Sequence, residues 1–380
     1  MIELNMEASH FVENYFDKHP VLFRDALRSN FLSWDEVSEA IYIGESMTQG
    51  PRLNKGGFLD ESKYIVNCGE LGQVRRRLEK SILYDELRNG TTLVFNRMEL
   101  TSYKVRLICK WISRFIGEHT VANGYIAFGE DESFGKHWDT HSVFAVQMMG
   151  RKRWLIYEPT HALPLKHQRS TGKQSECPTE PYMDVTIDAG DILYLPRGWW
   201  HTAIPLKEET FHLAVGVHES TISDYIKYLA NEIIGDFDTF RQTIPLGERR
   251  DIDLGLVASE LARIVEDHNL LTNYNDRRRR NFREASKPNL QLHAFRSKFQ
   301  LDTEAKFLAN TPIRSTTIDE KINGAPLPLG RNLEKLHNFI FASTGAISYK
   351  ELRACACEIS TKEFESSILK LLEIDVLELI

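Results

Sequence analysis

Two stretches constrain this chain more than anything else in it: Gly135–Trp154, GKHWDTHSVFAVQMMGRKRW, and Gly190–His201, GDILYLPRGWWH. In the first, His137 and Asp139 stand two positions apart. On an extended strand that spacing sends both side chains to one face, so an imidazole and a carboxylate converge. The apolar run Val143–Met149 that follows reads as a strand. In the second stretch Ile192–Leu195 reads as a short buried strand, ended by Pro196 and turned by Gly198, with His201 just beyond. Two histidines and one carboxylate, with the other positions open, make the facial triad that suits non-haem Fe(II) and oxygen chemistry. A strand-end His137–Asp139 hydrogen bond with a surface His201 is the plainer alternative for these three residues alone.

The residues framing the triad favour the metal. Gly190, Pro196, Gly198 and His201 fall at the spacing G-x5-P-x-G-x2-H, which resembles the second cupin motif. His137, Asp139 and Gly150 match the first cupin motif in part. Asp139 replaces its second histidine, and Val143 stands where its glutamate ligand would be, leaving three ligands and a vacant face. The whole stretch, GRKRW included, is similar to the JmjC-type 2-oxoglutarate oxygenases, and most closely to the cupin-like ribosomal oxygenases. That resemblance implies Fe(II), 2-oxoglutarate and O2, with metal held by His137, Asp139 and His201. It places Lys152 where the family carries a cation for the far carboxylate of the co-substrate. Arg151 and Arg153 flank it, and alternation along a strand turns them away from its face. A lysine inside a barrel is costly unless an anion meets it. Asn123 and Tyr125 fall at the offset where family members keep an Asn and a Tyr beside the co-substrate; a strand-end residue and a core aromatic are the alternatives. His212, in FHLAVGV, belongs to a strand expected to line the same pocket, either orienting a ligand or packing as a core histidine. His141 is near the triad but outside its pattern, and Trp138, Trp199 and Trp200 have no assignable role.

The fold this implies is α+β: a double-stranded β-helix of the cupin/JmjC jelly-roll kind, then helices, then a winged-helix-like end. Residues 1–220 form the oxygenase domain, with its barrel core at about 123–217. Ahead of the barrel, Phe11, Tyr15 and Phe16 recur at helical spacing, and Val21–Phe23 reads as a strand. Ser33 and Glu36 match a capping box, Leu78–Leu87 and Leu100–Ile116 look helical, and Thr92–Phe95 and Asn123–Phe128 look like strands. Residues 48–73 read as loops with a brief strand at Tyr64–Asn67, and residues 160–183 as a loop. Residues 221–330 carry helical stripes (Ile222, Tyr225, Ile226, Leu229; Leu254, Val257, Leu261, Ile264), and the family uses this region to dimerise, so a homodimer is expected. Residues 331–380 hold three helices and a strand, two of the helices opened by capping boxes at Ser348/Glu351 and Ser360/Glu363.

Composition narrows the partners. The chain has 380 residues, 42% of them hydrophobic, ample for a sizeable core. A net charge of −7 argues against a nucleic-acid coat. The last helix, STKEFESSILKLL, is too weakly basic to grip phosphates, so a packing or interaction module is expected there. The Asp276–Arg283 cluster, including Arg277–Arg280, reads as a solvated helix face or linker, with a nucleic-acid or anionic-substrate contact as the alternative. No apolar run is long enough to span a membrane. No secretory pattern opens the N-terminus, and five scattered cysteines fit a reducing cytoplasm. The reaction implied by the resemblance is hydroxylation of a side-chain carbon, with arginine or histidine of a ribosomal protein as the family's target. The same chemistry on another peptide or a biosynthetic precursor, N-methyl-lysine demethylation, and a non-catalytic cupin-like binding protein are the competing readings.

Overall fold

Val143–Met149 and Ile192–Leu195 are strands with these bounds, and they lie side by side near the middle of a seven-stranded antiparallel sheet. Their runs are continuous rather than alternating because both faces of this part of the sheet are covered. The computed structural model describes residues 2–28, 32–47, 50–130, 132, 134–244, 252–281, 286–290, 301–310, 321–322, 325–326, 333–343 and 345–380. The contacts group the chain into two compact units, Met1–His218 and Glu219–Ile380.

In the first unit the large sheet runs Val21–Phe23, Ile192–Leu195, Val143–Met149, Thr210–Val217, Thr120–Ala127, Thr92–Phe95, Arg52–Asn54. A second sheet pairs Lys152–Tyr157 with Trp200–Pro205 on one side and Met183–Ile187 on the other. Ala145, Leu193 and Leu195 of the large sheet pack against Trp154, Ile156 and Ile187 of the small one, which closes the jelly roll. The outer face of the large sheet is covered by helices. Helix Tyr103–Ile116 buries Val105, Ile108, Ile112 and Phe115, is capped by Ser102, and ends on Gly117 at φ +76°. Phe11, of helix Ala8–Asn14, sits among Phe115, Phe144 and Tyr194. Helix Trp34–Gly44 starts with the complete Ser33/Glu36 capping box.

Several elements differ from the sequence reading. The brief strand expected at Tyr64–Asn67 belongs to a longer hairpin, Ile65–Glu70 with Gln73–Leu78, and the helix expected from Leu78 is Lys80–Arg88. Leu71 and Val74 of this hairpin are exposed, so no buried apolar alternation marks it, and Leu71 and Gly72 both take positive φ in a two-residue turn without an Asn-Gly signal. The helix expected from Leu100 begins at Tyr103, after a 3-10 turn Met98–Leu100, because Ser102 supplies the cap.

In the second unit, helices Ile222–Glu232, Leu254–Val265 and His268–Asn281 share a small core around Tyr225, Leu229 and Ile264. Arg277 pairs with Glu232 at 3.2 Å and lies over the Tyr228 ring. The side chains of Arg279 and Arg280, and residues 282–283, lie outside the described residues. Farther on, helices Glu334–Ala342, Tyr349–Cys355 and Thr361–Glu373 pack on a three-stranded sheet. Its central strand, Lys306–Ala309, pairs with Leu377–Leu379 and Ile347–Ser348, and Leu301 and Phe307 enter the same core. This sheet thus includes a strand that precedes residue 331 in sequence.

Candidate metal centre and its cavity

His137 forms an isolated bridge to His201 rather than belonging to a strand, and Asp139 also lies outside any strand. The backbones of the three residues are tied together. His201 N–H donates to the His137 carbonyl at 2.8 Å, His137 N–H to the His201 carbonyl at 3.1 Å, and Gly198 N–H to the Asp139 carbonyl at 3.0 Å. Gly198 sits at φ +86°, and a Cβ there would fall 2.7 Å from the His161 carbonyl oxygen, so the turn before His201 requires glycine. Arg197 fixes the same turn from outside through a bidentate pair with Asp17, at 3.0 and 2.9 Å.

This scaffold brings one ligand atom from each of His137, Asp139 and His201 within 4.8 Å of the others. His137 Nδ1 lies 2.9 Å from the Gly135 carbonyl and His201 Nδ1 lies 3.0 Å from the Trp199 carbonyl. A carbonyl only accepts, so both Nδ1 atoms carry the proton, and each Nε2 lone pair is free for a metal. Burial, aided by His137, pushes the His201 pKa down to about 4 against the opposing pull of Asp139, which keeps the ring neutral. Burial raises the Asp139 carboxyl, but His137, His201 and His141 outweigh it and leave the group below its usual range. Neutral imidazoles and an ionised carboxylate are the forms that bind a divalent cation. Val143 lines the cavity where a fourth ligand would stand in a cupin.

The cavity beside the triad has a volume of about 240 Å³, and its wall includes Tyr125, Lys152 and His212. Lys152 is 3% exposed, while Arg151 and Arg153 point outward and pair with Glu208 and Asp184 at 3.1 and 2.6 Å. Lys152 Nζ has His212 Nδ1 as its neighbour at 2.9 Å. No carboxylate among the described residues pairs with it, and burial pushes its pKa down to about 7. A buried lysine facing a cavity with only a neutral partner fits an anionic ligand. Tyr125 stacks on His212 at 5.0 Å between ring centroids, and burial followed by the Asp139 charge raises its hydroxyl pKa.

Asn123 hydrogen-bonds through its side chain to Tyr125, whose ring lines the cavity. Its Oδ1 accepts from the Arg97 N–H at 3.1 Å, and the cavity lining includes its cross-strand partner Ala214 rather than Asn123 itself. His141 stacks on His218 at 6.1 Å and packs over Gly216; it is not one of the three ligands but is near enough to act on Asp139. Trp138 and Trp200 pack with Tyr157, while Trp199 joins the inter-sheet core and donates to the Lys18 carbonyl. The sequence reading missed Phe134, Trp154 and Thr202, which line the cavity. Phe134 stands against both Tyr125 and His137, at 5.8 and 6.1 Å. Each is a near neighbour in sequence of a ligand or of Lys152, and that proximity was the available signal.

A profile described as the JmjC domain matches residues 96–225. The Drosophila persimilis protein named bifunctional lysine-specific demethylase and histidyl-hydroxylase NO66 is 36% identical over 221 residues, covering 56% of this chain and 30% of its own. The Dictyostelium discoideum protein of the same name is 25% identical over 231 residues, covering 59% of this chain and 42% of its own. The chain thus spans less than half the length of these curated relatives. Among solved structures, the Escherichia coli ribosomal oxygenase YcfD in complex with cobalt and 2-oxoglutarate is similar over 100% of this chain and 99% of its own, with a TM-score of 0.57 and 16% identity. A likeness at that identity speaks for the fold. Triad, jelly roll and profile agree: residues 96–225 of this chain are a JmjC domain, set in a cupin fold of mixed helices and sheets.

Proposed function

We propose that the chain is an Fe(II)- and 2-oxoglutarate-dependent protein hydroxylase that acts on a side-chain carbon, with arginine or histidine of a ribosomal protein as its target. His137, Asp139 and His201 hold the iron, and Lys152 anchors the far carboxylate of 2-oxoglutarate, with Tyr125 beside it. The observation that carries this reading is the pairing, in one cavity, of a three-ligand centre with a buried lysine that has no anionic partner among the described residues. Bound iron and the 2-oxo acid supply the oxidant: O2 and 2-oxoglutarate become succinate and carbon dioxide, and a C–H bond gains one oxygen. The residues of the chain bind and orient the reactants and keep water out. The names of the relatives support the substrate class, one being a histidyl-hydroxylase and the solved structure a ribosomal oxygenase. Intact-mass comparison of ribosomal proteins from cells with and without the gene tests it. A ribosomal protein gaining one oxygen only when the gene is present is the expected result; identical masses throughout would refute the ribosomal target.

A second reading, removal of an N-methyl group from lysine, is favoured by the demethylase half of the relatives' name. Loss of a methyl group, rather than gain of an oxygen, would identify it. For assembly, we infer a homodimer through the helices of 221–330. Ile222, Leu254 and Leu256 on these helices are 76%, 71% and 52% exposed, more apolar surface than an isolated unit needs to show. A monomeric mass by light scattering at micromolar concentration would overturn it. The C-terminal helices and sheet are read as a winged-helix-like packing module. No helix among the described residues is long and apolar enough to cross a membrane, and a cytoplasmic location is part of the proposal.

A further inference from the structure

We propose that His212 binds the co-substrate directly: its Nε2–H is a second donor, beside the Lys152 ammonium, for the far carboxylate of the 2-oxo dicarboxylate. This rests on the oxygenase reading above and adds a residue to it.

The argument begins with the contact between the two side chains. Lys152 Nζ and His212 Nδ1 are 2.9 Å apart. The form of Lys152 that meets an anion is the ammonium, which has three donors and no acceptor, and against it His212 Nδ1 offers its lone pair. A neutral imidazole has one N–H, which is then at Nε2. The ring is neutral, since burial first and the Lys152 charge second hold its pKa well below the ordinary value. Nε2 thus becomes an obligate donor, and it finds no acceptor among the described residues. The residue is 4% exposed and lines the cavity. A buried N–H left without an acceptor is costly, so a ligand oxygen is the natural partner.

The local backbone explains how this ring reaches the cavity. The pairing of Thr210–Val217 with Val143–Met149 shifts register between Phe211 and His212. A shift of this kind re-aims a side chain, and Gln147 steadies it by donating to Thr210 Oγ1 at 2.7 Å and to the Met149 carbonyl at 2.9 Å. The ring is then clamped, parallel to Tyr125 within 9° and edge-on to Trp154 at 5.4 Å. Lysine and histidine together present a fixed pair of donors, which suits the two oxygens of one carboxylate.

The test uses the full chain loaded with Mn(II), which binds without oxidising, and 2-oxoglutarate as the titrant. Gln keeps a distal N–H donor near the Nε2 position, Asn keeps an acceptor for Lys152 but no distal donor, and Leu keeps neither. His212→Gln should bind 2-oxoglutarate within a fewfold of wild type, while His212→Asn and His212→Leu should lose about 10- to 100-fold, the worth of one charge-assisted hydrogen bond. Mn(II) affinity should stay unchanged in all three. Independently, nitrogen-15 spectra of the ligand-free protein at a pH well below 7, where Lys152 is an ammonium, should show the His212 proton on Nε2. Asn binding as tightly as wild type would mean that His212 only accepts from Lys152, and a proton on Nδ1 would remove the geometric basis; either overturns the proposal alone. Wild-type protein that takes up Mn(II) but no 2-oxoglutarate would overturn the oxygenase reading and this inference with it.

Discussion

Replacing Lys152 with methionine should change two properties in opposite directions. The side chain is 3% exposed, and burial moves its pKa from the ordinary 10.5 to about 7. The unfolded chain therefore binds this proton more tightly than the folded one. At pH 7 that difference destabilises the ligand-free protein by about 4 kcal/mol, an upper bound. Methionine has a similar length and no charge, so Lys152→Met should stabilise the ligand-free protein by up to that amount. The sign is checked by pH. A lysine depressed in the folded state makes stability rise as pH climbs from about 7 to 10.5, where only the unfolded chain still holds the proton, and the variant should lack this rise. Binding should move the other way. Without the ammonium, the far carboxylate is buried without its countercharge, at a cost of about 3–5 kcal/mol. That corresponds to at least a hundredfold weaker 2-oxoglutarate binding. Iron affinity should be unaffected, since Lys152 is not in the ligand set. The assays are denaturant melts of ligand-free protein at several pH values and anaerobic calorimetry with 2-oxoglutarate. A variant that is destabilised when ligand-free and binds 2-oxoglutarate as wild type does would refute the reasoning at both ends.

Three further outcomes are expected. The protein should bind one Fe(II) per chain, and His137→Ala or Asp139→Ala should abolish binding, because Val143 leaves no fourth ligand to compensate; equal metal content in anaerobically reconstituted His137→Ala would disprove the triad. The affinity for 2-oxoglutarate should fall as pH rises above about 7, since free Lys152 then loses the proton that the carboxylate needs; a pH-independent titration between 7 and 9 would contradict this. Arg197→Ala should cost about 1–3 kcal/mol in chemical denaturation, for it breaks the bidentate pair with Asp17, which is partly exposed on the aspartate side; stability equal to wild type would count against the Arg197–Asp17 tie.

The parts of the fold that were legible in the sequence are those where burial is continuous or a cap is local. Val143–Met149, Ile192–Leu195 and Thr210–Val217 announce themselves as apolar runs, and Ser33, Ser348 and Ser360 mark helix starts through side chains three residues from their partners. What was hidden depends on pairing across long separations. Lys152 and His212 stand on strands of different sheets and meet only when the roll closes. Asp17 reaches Arg197 across 180 residues, and Lys306–Ala309 is too short to stand out until Leu377–Leu379 pairs with it. The ligand spacing of His137 and Asp139 was readable, but the reason it works was not. An isolated bridge to His201, and not a strand, holds His137 beside it.

That bridge also bears on the rival reading, a cupin-like protein that binds a ligand without catalysis. Such a protein needs a shaped cavity, and here the walls alone would supply one. It has no need to lock two imidazoles as Nδ1–H tautomers by carbonyls at 2.9 and 3.0 Å, freeing both Nε2 lone pairs toward one carboxylate. Nor does it gain from tying the three ligand backbones to each other, since a site held only by side chains would still bind a small anion at Lys152. Preorganisation of this kind matters when a metal must sit at a fixed place relative to a second ligand. Lys152 is fixed in turn by His212, and His212 by Tyr125, so the lysine and the metal site line one cavity and both are held in place. The proposed function gives this cavity a single chelating acid that reaches both groups, and a binding module that tolerated many small ligands would have no physical reason to hold both groups rigid.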